Sequence, residues 1–223
     1  MLGLILICAA IVSLTLALLI ETLSWWIRGK APQDMFGKFV SRSNIFLYSG
    51  RLFALIFTSI IAFSIETGNG LEDVMHDLAL AFSIAAIFHI FLLLPHFEQG
   101  RCIRLTLSVM RLPNVVKPLI RVPVSQRTYI IWATALASMI FAFGNGAPLI
   151  LATIFPQFRL SISGLGQIIN AAGTFLVLFI VDQILFKSMD KGELIFAVRT
   201  YTFGRTVGLA LSAIIFFIVG KVV

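Results

Sequence analysis

The sequence predicts an all-α fold: a polytopic helical membrane protein of about six transmembrane helices, forming one transmembrane domain over residues 1–223. Three observations carry that expectation. Of the 223 residues, 59% are hydrophobic and only 12% charged, and mean hydropathy is +1.02. A soluble domain carries about 25% charged residues, so too little polar surface is left here to face water. The apolar runs have the length of a bilayer crossing, and the segments joining them alternate in charge. No stretch is polar enough for a separate soluble domain, which argues against chemistry on a large extramembrane module.

Crossing about 30 Å of hydrocarbon takes roughly 20 mostly apolar residues in a helix. Six stretches qualify: Leu2–Ile27, Phe39–Ile65, Leu71–Phe97, Val124–Phe155, Ser161–Phe186 and Leu194–Val219. None alternates polar and apolar residues as a barrel strand would. Met1–Ile20 has no positive charge and no small-residue cleavage pattern before Glu21, so it reads as a retained span rather than a signal peptide. Cys8 and Cys102 suggest neither a disulfide framework nor a thiolate metal site.

The connections divide by charge. Arg28, Lys30, Lys38 and Arg42 lie between spans 1 and 2 against Asp34 alone. Arg101, Arg104, Arg111, Lys117, Arg121 and Arg127 lie between spans 3 and 4, and Lys187 and Lys191 between spans 5 and 6. The other two connections hold Glu66, Glu72 and Asp73, or Arg159. Lys and Arg accumulate on the cytoplasmic side, so the odd loops are expected inside and both termini outside. Spans 1–3 and 4–6 then run in opposite senses, as a 3+3 inverted arrangement would.

The long basic segment 98–123 has two readings. Arg101, Arg104 and Arg111 share one side of a helical wheel, with Ile103, Leu107 and Met110 on another. Such a helix lies in the interface, arginines on anionic headgroups and apolar residues in the acyl boundary. A solvated basic loop serving only topology is the alternative. Pro113, Pro118 and Pro123 make the return to span 4 irregular.

Charges at mid-span cost at least about 2.5–3.5 kcal/mol each, so each needs a reason. Arg51 and Arg205 sit near the centres of spans 2 and 6 and call for an internal partner, a watery cavity or an anionic ligand. Asn44, Tyr48 and Arg51 share a face, as do Tyr201, Arg205, Gly208 and Ser212. Span 5 carries a stripe of Ser163, Gln167, Asn170 and Thr174, and span 4 has Thr134, Ser138 and Asn145, so both faces are expected to line a shared interior, either a packed interface or a pathway. The candidate counter-charges are Glu21 and Asp182. Glu21 could pair with Arg28 in its own helix, and Asp182 with an arginine of span 6 or with Lys187. His89 could carry a proton or simply hydrogen-bond a neighbouring helix. His76 and Asp77 are expected near the outer interface.

Enzyme signatures are not found: there is no His pair at i, i+4, no nucleophile elbow and no Gly-rich phosphate loop, so no catalytic residue, metal or cofactor is expected. The basic segment lacks the aromatic interleaving of a nucleic-acid surface. Intramembrane arginines without a catalytic set favour binding or moving an anion.

Several segments resemble one family. Ser161–Asp182, with its Ser-Gly start, Asn170, Thr174 and closing Val181-Asp182, resembles the fifth-span region of the Amj family of lipid II flippases. Asn44-Ile45-Phe46-Leu47 followed by Ser49-Gly50-Arg51 is similar to that family's second span, and Thr200–Ser212 to its last. Glu21-Thr22-Leu23 also fits, while Gln183 stands where a proline commonly follows the aspartate. The resemblance implies a bacterial cytoplasmic-membrane protein that moves undecaprenyl-pyrophosphate-linked peptidoglycan precursor outward. Combined with the residues above, it makes Arg51 and Arg205 candidates to neutralise the pyrophosphate, and Asn44, Asn145, Gln167 and Asn170 candidates for its sugars. Glu21, Asp182 and His89 become candidates for proton coupling. The expected partners are that glycolipid and anionic lipids, with a homo-oligomer left open. Rival readings are a flippase for another polyprenyl-linked glycan, a scaffold subunit of a membrane complex, and an intramembrane enzyme acting on a lipid phosphate.

Overall fold

A computed structural model describes residues 2–94, 100–114, 124–191 and 193–222. The protein is an all-α polytopic membrane protein, with six helices long and apolar enough to cross a bilayer and no strand among the described residues. Helices suit this setting because they satisfy every backbone N–H and C=O internally where no water can.

Helix α1, Leu2–Gly29, is an unbroken run free of Gly and Pro between Leu4 and Arg28, and it stops just before Pro32. A 3₁₀ turn, Gln33–Met35, leads into α2, Phe36–Glu66. Gly68 then takes a left-handed φ of 105°, which only glycine adopts without strain. The Asp73 carboxylate accepts the Gly70 N–H at 3.2 Å and starts α3, Leu71–Leu92. At the far end of α3 the Arg199 guanidinium donates to the Leu93 carbonyl at 2.8 Å, a cation where the helix dipole is negative. The amphipathic helix α4 is Arg101–Val109. The fourth span is α5, Val124–Ile154, which contains Pro148.

The fifth span is not one regular helix. It runs as α6, Arg159–Leu176, then a π turn at Val177–Val181, then α7, Asp182–Asp190. The Asp182 N–H reaches back to the Val177 carbonyl, the i→i+5 bond of a π turn. The sixth span, α8, is Leu194–Val222.

The spans pack in the order α2, α1, α3, α8, α5, α6. This order reads the same from either end if span 1 is exchanged with 4, 2 with 5 and 3 with 6. It is the packing that a 3+3 arrangement produces. The rim spans, second and fifth, have only 17% of their apolar windows buried, against 50% for α1, α3 and α8, so they carry most of the lipid-facing surface.

Small residues set the closest approach. A Cβ on Gly208 would run into the Ala135 carbonyl, and one on Gly204 would meet the Ile131 carbonyl at 2.5 Å. Two such positions one turn apart let the backbones of α8 and α5 nearly touch, the main source of association where lipid removes any hydrophobic drive.

The buried apolar residues form two separate clusters. One gathers Leu14, Phe57, Leu78, Phe82 and Phe216, away from the basic connections. The other gathers Trp25, Trp26, Phe39, Ile103, Leu107 and Tyr201, at the basic end. Between them lies a layer of buried polar side chains that includes Thr22, Ser43, His89, Thr134, Thr202 and Arg205.

Candidate intramembrane polar site

The polar layer is built around one ion pair. Arg205 of α8 donates from Nη2 to Glu21 Oε2 of α1 at 2.5 Å and from Nη1 to the Tyr201 hydroxyl at 2.7 Å. Tyr201 is one turn before Arg205 on the same helix, so α8 presents both to the same place. The two ends of the pair differ in access: Arg205 is 3% exposed and Glu21 31%. The Nε of Arg205 is buried and has no hydrogen-bond partner.

Around this pair the neighbouring helices are fastened by single hydrogen bonds. His89 of α3 is fully buried, with Nδ1 2.7 Å from the Ala85 carbonyl and Nε2 2.9 Å from Thr22 Oγ1. A carbonyl can only accept, so the ring proton belongs on Nδ1 and Nε2 accepts from the threonine. Trp26 Nε1 donates to Thr202 Oγ1 at 3.1 Å. Arg28 donates from Nε to Ser43 Oγ at 2.8 Å and from Nη2 to Asn44 Oδ1 at 2.6 Å, with its guanidinium 4.4 Å from the Trp25 ring centre. Arg28, buried at 7% exposure, is thus held by three neighbours.

Arg51 differs from the other two arginines. It stands at the midpoint of α2, is exposed, and lies 5.0 Å over the Tyr48 ring. It acts electrostatically on Glu21, whose hydrogen-bonded partner is Arg205. Asp182, directly after the π turn, faces Arg28 and Glu21, and its Oδ1 is buried without a hydrogen bond. What results is a polar cluster of three arginines and two carboxylates, contributed by α1, α2, α7 and α8.

No family model, no curated protein and no solved structure matches this chain. The chemistry of the site rests on its own residues. Among the described residues, no three His, Cys, Asp or Glu side chains come together to hold a metal ion.

Several sequence expectations need correction. Glu21 does not pair with Arg28; its partner is Arg205, and Arg28 turns to Ser43 and Asn44 instead. Arg205 is consequently not an unpaired cation. Asp182 makes no ion pair with Lys187 or with an arginine of α8 among the described residues. The polar stripe of the fifth span does not line a shared interior: Gln167 and Thr174 are exposed. The buried face of α6 carries Ile162, Gly166 and Gly173 instead, and Gly166 packs on the Gly144 carbonyl and Pro148. Asn170 wedges its amide against Gly144, leaving Oδ1 buried without a partner, and Asn145 is half-buried. None of these three amides hydrogen-bonds to the arginine cluster.

The basic segment also differs. Ile103 and Leu107 of α4 are fully buried in the protein's own basic-end core, not in an acyl boundary. Leu105 and Val109 face outward instead, beside the exposed Arg101 and Arg104. Arg111 is exposed beyond the helix with a φ of 53°. Lys117, Pro118, Arg121 and Pro123 lie outside the described residues. His76 sits 3.6 Å from Glu72 near the start of α3, as its position suggested.

Proposed function

We propose that this protein moves a polyprenyl-pyrophosphate-linked glycan across the bacterial cytoplasmic membrane, from the inner to the outer leaflet. Its substrate would be the lipid II that the resemblance to the Amj family implies. The reading is carried by one observation: an arginine at the centre of a span, exposed at the bundle surface and within electrostatic range of the part-buried Glu21–Arg205 pair. A permanent cation there gains nothing from hydrocarbon, but it suits an anionic headgroup whose tail stays in lipid. The pyrophosphate would enter beside Arg51 and be held by charge-assisted hydrogen bonds from Arg51 and Arg205, with Asn44 within the same cluster. The prenyl chain would lie along the poorly buried outer face of α2. Gln167 and Asn170 stand apart from that cluster, so the present reading gives them no contact with the headgroup at this stage of the cycle.

The test is a headgroup-accessibility assay in proteoliposomes holding fluorescent lipid II, with a quencher that cannot cross the bilayer. Protein-dependent loss of the protected half of the signal, without chemical change in the lipid, is the expected result. An unchanged protected half overturns the reading, and a new lipid product would make the protein an enzyme on a lipid phosphate.

The exposure of Arg51 favours a second reading, in which it meets a carboxylate of another subunit and the protein is a scaffold. Under that reading Arg51→Ala changes the size of the detergent-solubilised complex. Under the flippase reading it leaves the size unchanged and stops lipid movement.

A further inference from the structure

Arg205 is engaged at two of its three guanidinium nitrogens. Its Nη2 and Nε hydrogens lie along one edge of the guanidinium, the edge that grips a carboxylate or phosphate with two parallel bonds. Glu21 takes Nη2 alone and Nε is buried without a partner. Glu21 is the less buried member of the pair, and exposed Arg51 also acts on it electrostatically. Any anion entering from the side of α2 therefore meets Arg51 first and finds Glu21 occupying Arg205. Arg28 offers no alternative, since Ser43, Asn44 and Trp25 already hold it.

We propose that Glu21 is an internal stand-in for the ligand's phosphate, and that a lipid diphosphate binds by displacing it from Arg205 as Glu21 takes up one proton. This rests on the reading that the Arg51–Arg205 cluster receives a polyprenyl diphosphate. Two oxygens of one phosphate satisfy both Nη2 and Nε, which a single Glu21 oxygen does not. The groups that face Glu21 explain why it must change charge when it leaves. Arg205 and Tyr201 face it from α8, His89 from α3, Arg51 from α2 and Asp182 from α7. Once both arginines are bound to phosphate, an ionised Glu21 is left beside that phosphate and the Asp182 carboxylate with no cation of its own. A proton from the aqueous side converts Oε2 from an acceptor into an O–H donor, which can hydrogen-bond the phosphate that replaced it. Each diphosphate bound thus brings one proton with it, and release returns both.

The experiment uses the purified full-length protein in detergent at pH 8, where the probe is ionised. Geranylgeranyl diphosphate is titrated calorimetrically in buffers of different ionisation enthalpy, which reports protons taken up per ligand bound. Wild type is expected to take up about one proton more than Glu21→Gln, and Glu21→Gln to bind about tenfold more tightly because no charged competitor remains. Glu21→Asp keeps the proton uptake but holds Arg205 less well, so it is expected to bind more tightly than wild type with unchanged stoichiometry. Should Glu21→Gln fail to fold, the Asp variant still decides the question, because unchanged affinity there overturns displacement. Inorganic pyrophosphate in place of the lipid is expected to bind more weakly with the same proton uptake, since the exchange concerns the phosphate and not the tail. Equal proton uptake by wild type and Glu21→Gln overturns the exchange while leaving the flippase reading intact. If wild type binds neither probe, both fall.

Discussion

Arg205 and Arg51 are both guanidinium groups deep in a span, and they should respond to truncation in opposite ways. Removing Arg205 leaves Glu21 in the bundle without its cation and Tyr201 without its donor. Breaking one partner of such a pair costs about 3–5 kcal/mol. Arg205→Ala is therefore expected to lower the melting temperature sharply, whereas Glu21→Ala together with Arg205→Ala recovers part of the loss. A double-mutant cycle followed by thermal unfolding should give a coupling of about 0.5–3 kcal/mol, and additive losses would show the pair to be energetically idle. Among the described residues Arg51 makes no hydrogen bond or ion pair and lies over the Tyr48 ring, so Arg51→Ala should shift stability by no more than about 0.5 kcal/mol while, on the flippase reading, stopping lipid movement. Sequence marks both arginines equally, because position along a span gives depth and not direction. It could not supply the partner of Arg205, since Glu21 is 184 residues away and Arg28 offered a nearer solution. Nor did it show that Arg28 would be drawn to Ser43 and Asn44. That pairing depends on the turn that brings α2 back beside α1.

At the scale of the element, the seam between α5 and α8 and the π turn lead to two further expectations. Gly208→Val would drive a branched side chain into the Ala135 carbonyl and Ser138, and neither helix can shift without opening the seam. It should prevent accumulation of folded protein, judged by size-exclusion chromatography in detergent. Gly164→Ala has no atom within 4 Å of the new methyl and should be silent. A π turn is one extra residue carried within a helix, usually where function requires it. Deleting Phe179, an exposed residue within it, should restore a regular helix without loss of melting temperature. If the turn serves as a hinge beside Asp182, flipping should fall several-fold in that deletion. Undiminished flipping would show the turn to be only a packing adjustment. Apolar run length made all six spans legible in the sequence, and the breaks at Pro32 and Gly68 follow from backbone chemistry. The π turn was not legible: Val177–Val181 is an ordinary apolar stretch, and the irregularity comes from fitting the fifth span onto its neighbours. The polar stripe of that span was misread because Gly166 and Gly173 win the contact with α5 through closeness of approach, leaving Gln167 and Thr174 outside.

At the scale of the whole molecule, charge segregation sets the expected sidedness. With Cys8 and Cys102 replaced by serine, a cysteine at Ser108 should be labelled only from inside the cell and one at Thr67 only from outside. The reverse pattern would invert the molecule in the membrane and with it the leaflet from which the cluster loads. The order of the spans could be anticipated only as two halves of opposite sense; the central pairing of α3 with α8 rests on side-chain fit that no periodicity reveals. That central place of α8 has a consequence for how the protein is made. Arg205 of α8 follows Glu21 by 184 residues, roughly 10–40 s at bacterial to eukaryotic rates of synthesis. Throughout that interval Glu21 is already in the bilayer without its permanent partner. Arg51 arrives with α2, next in line, and acts electrostatically on Glu21 before α8 is delivered. A chain halted before its sixth span would keep Glu21 without Arg205, with Arg51 alone to offset its charge.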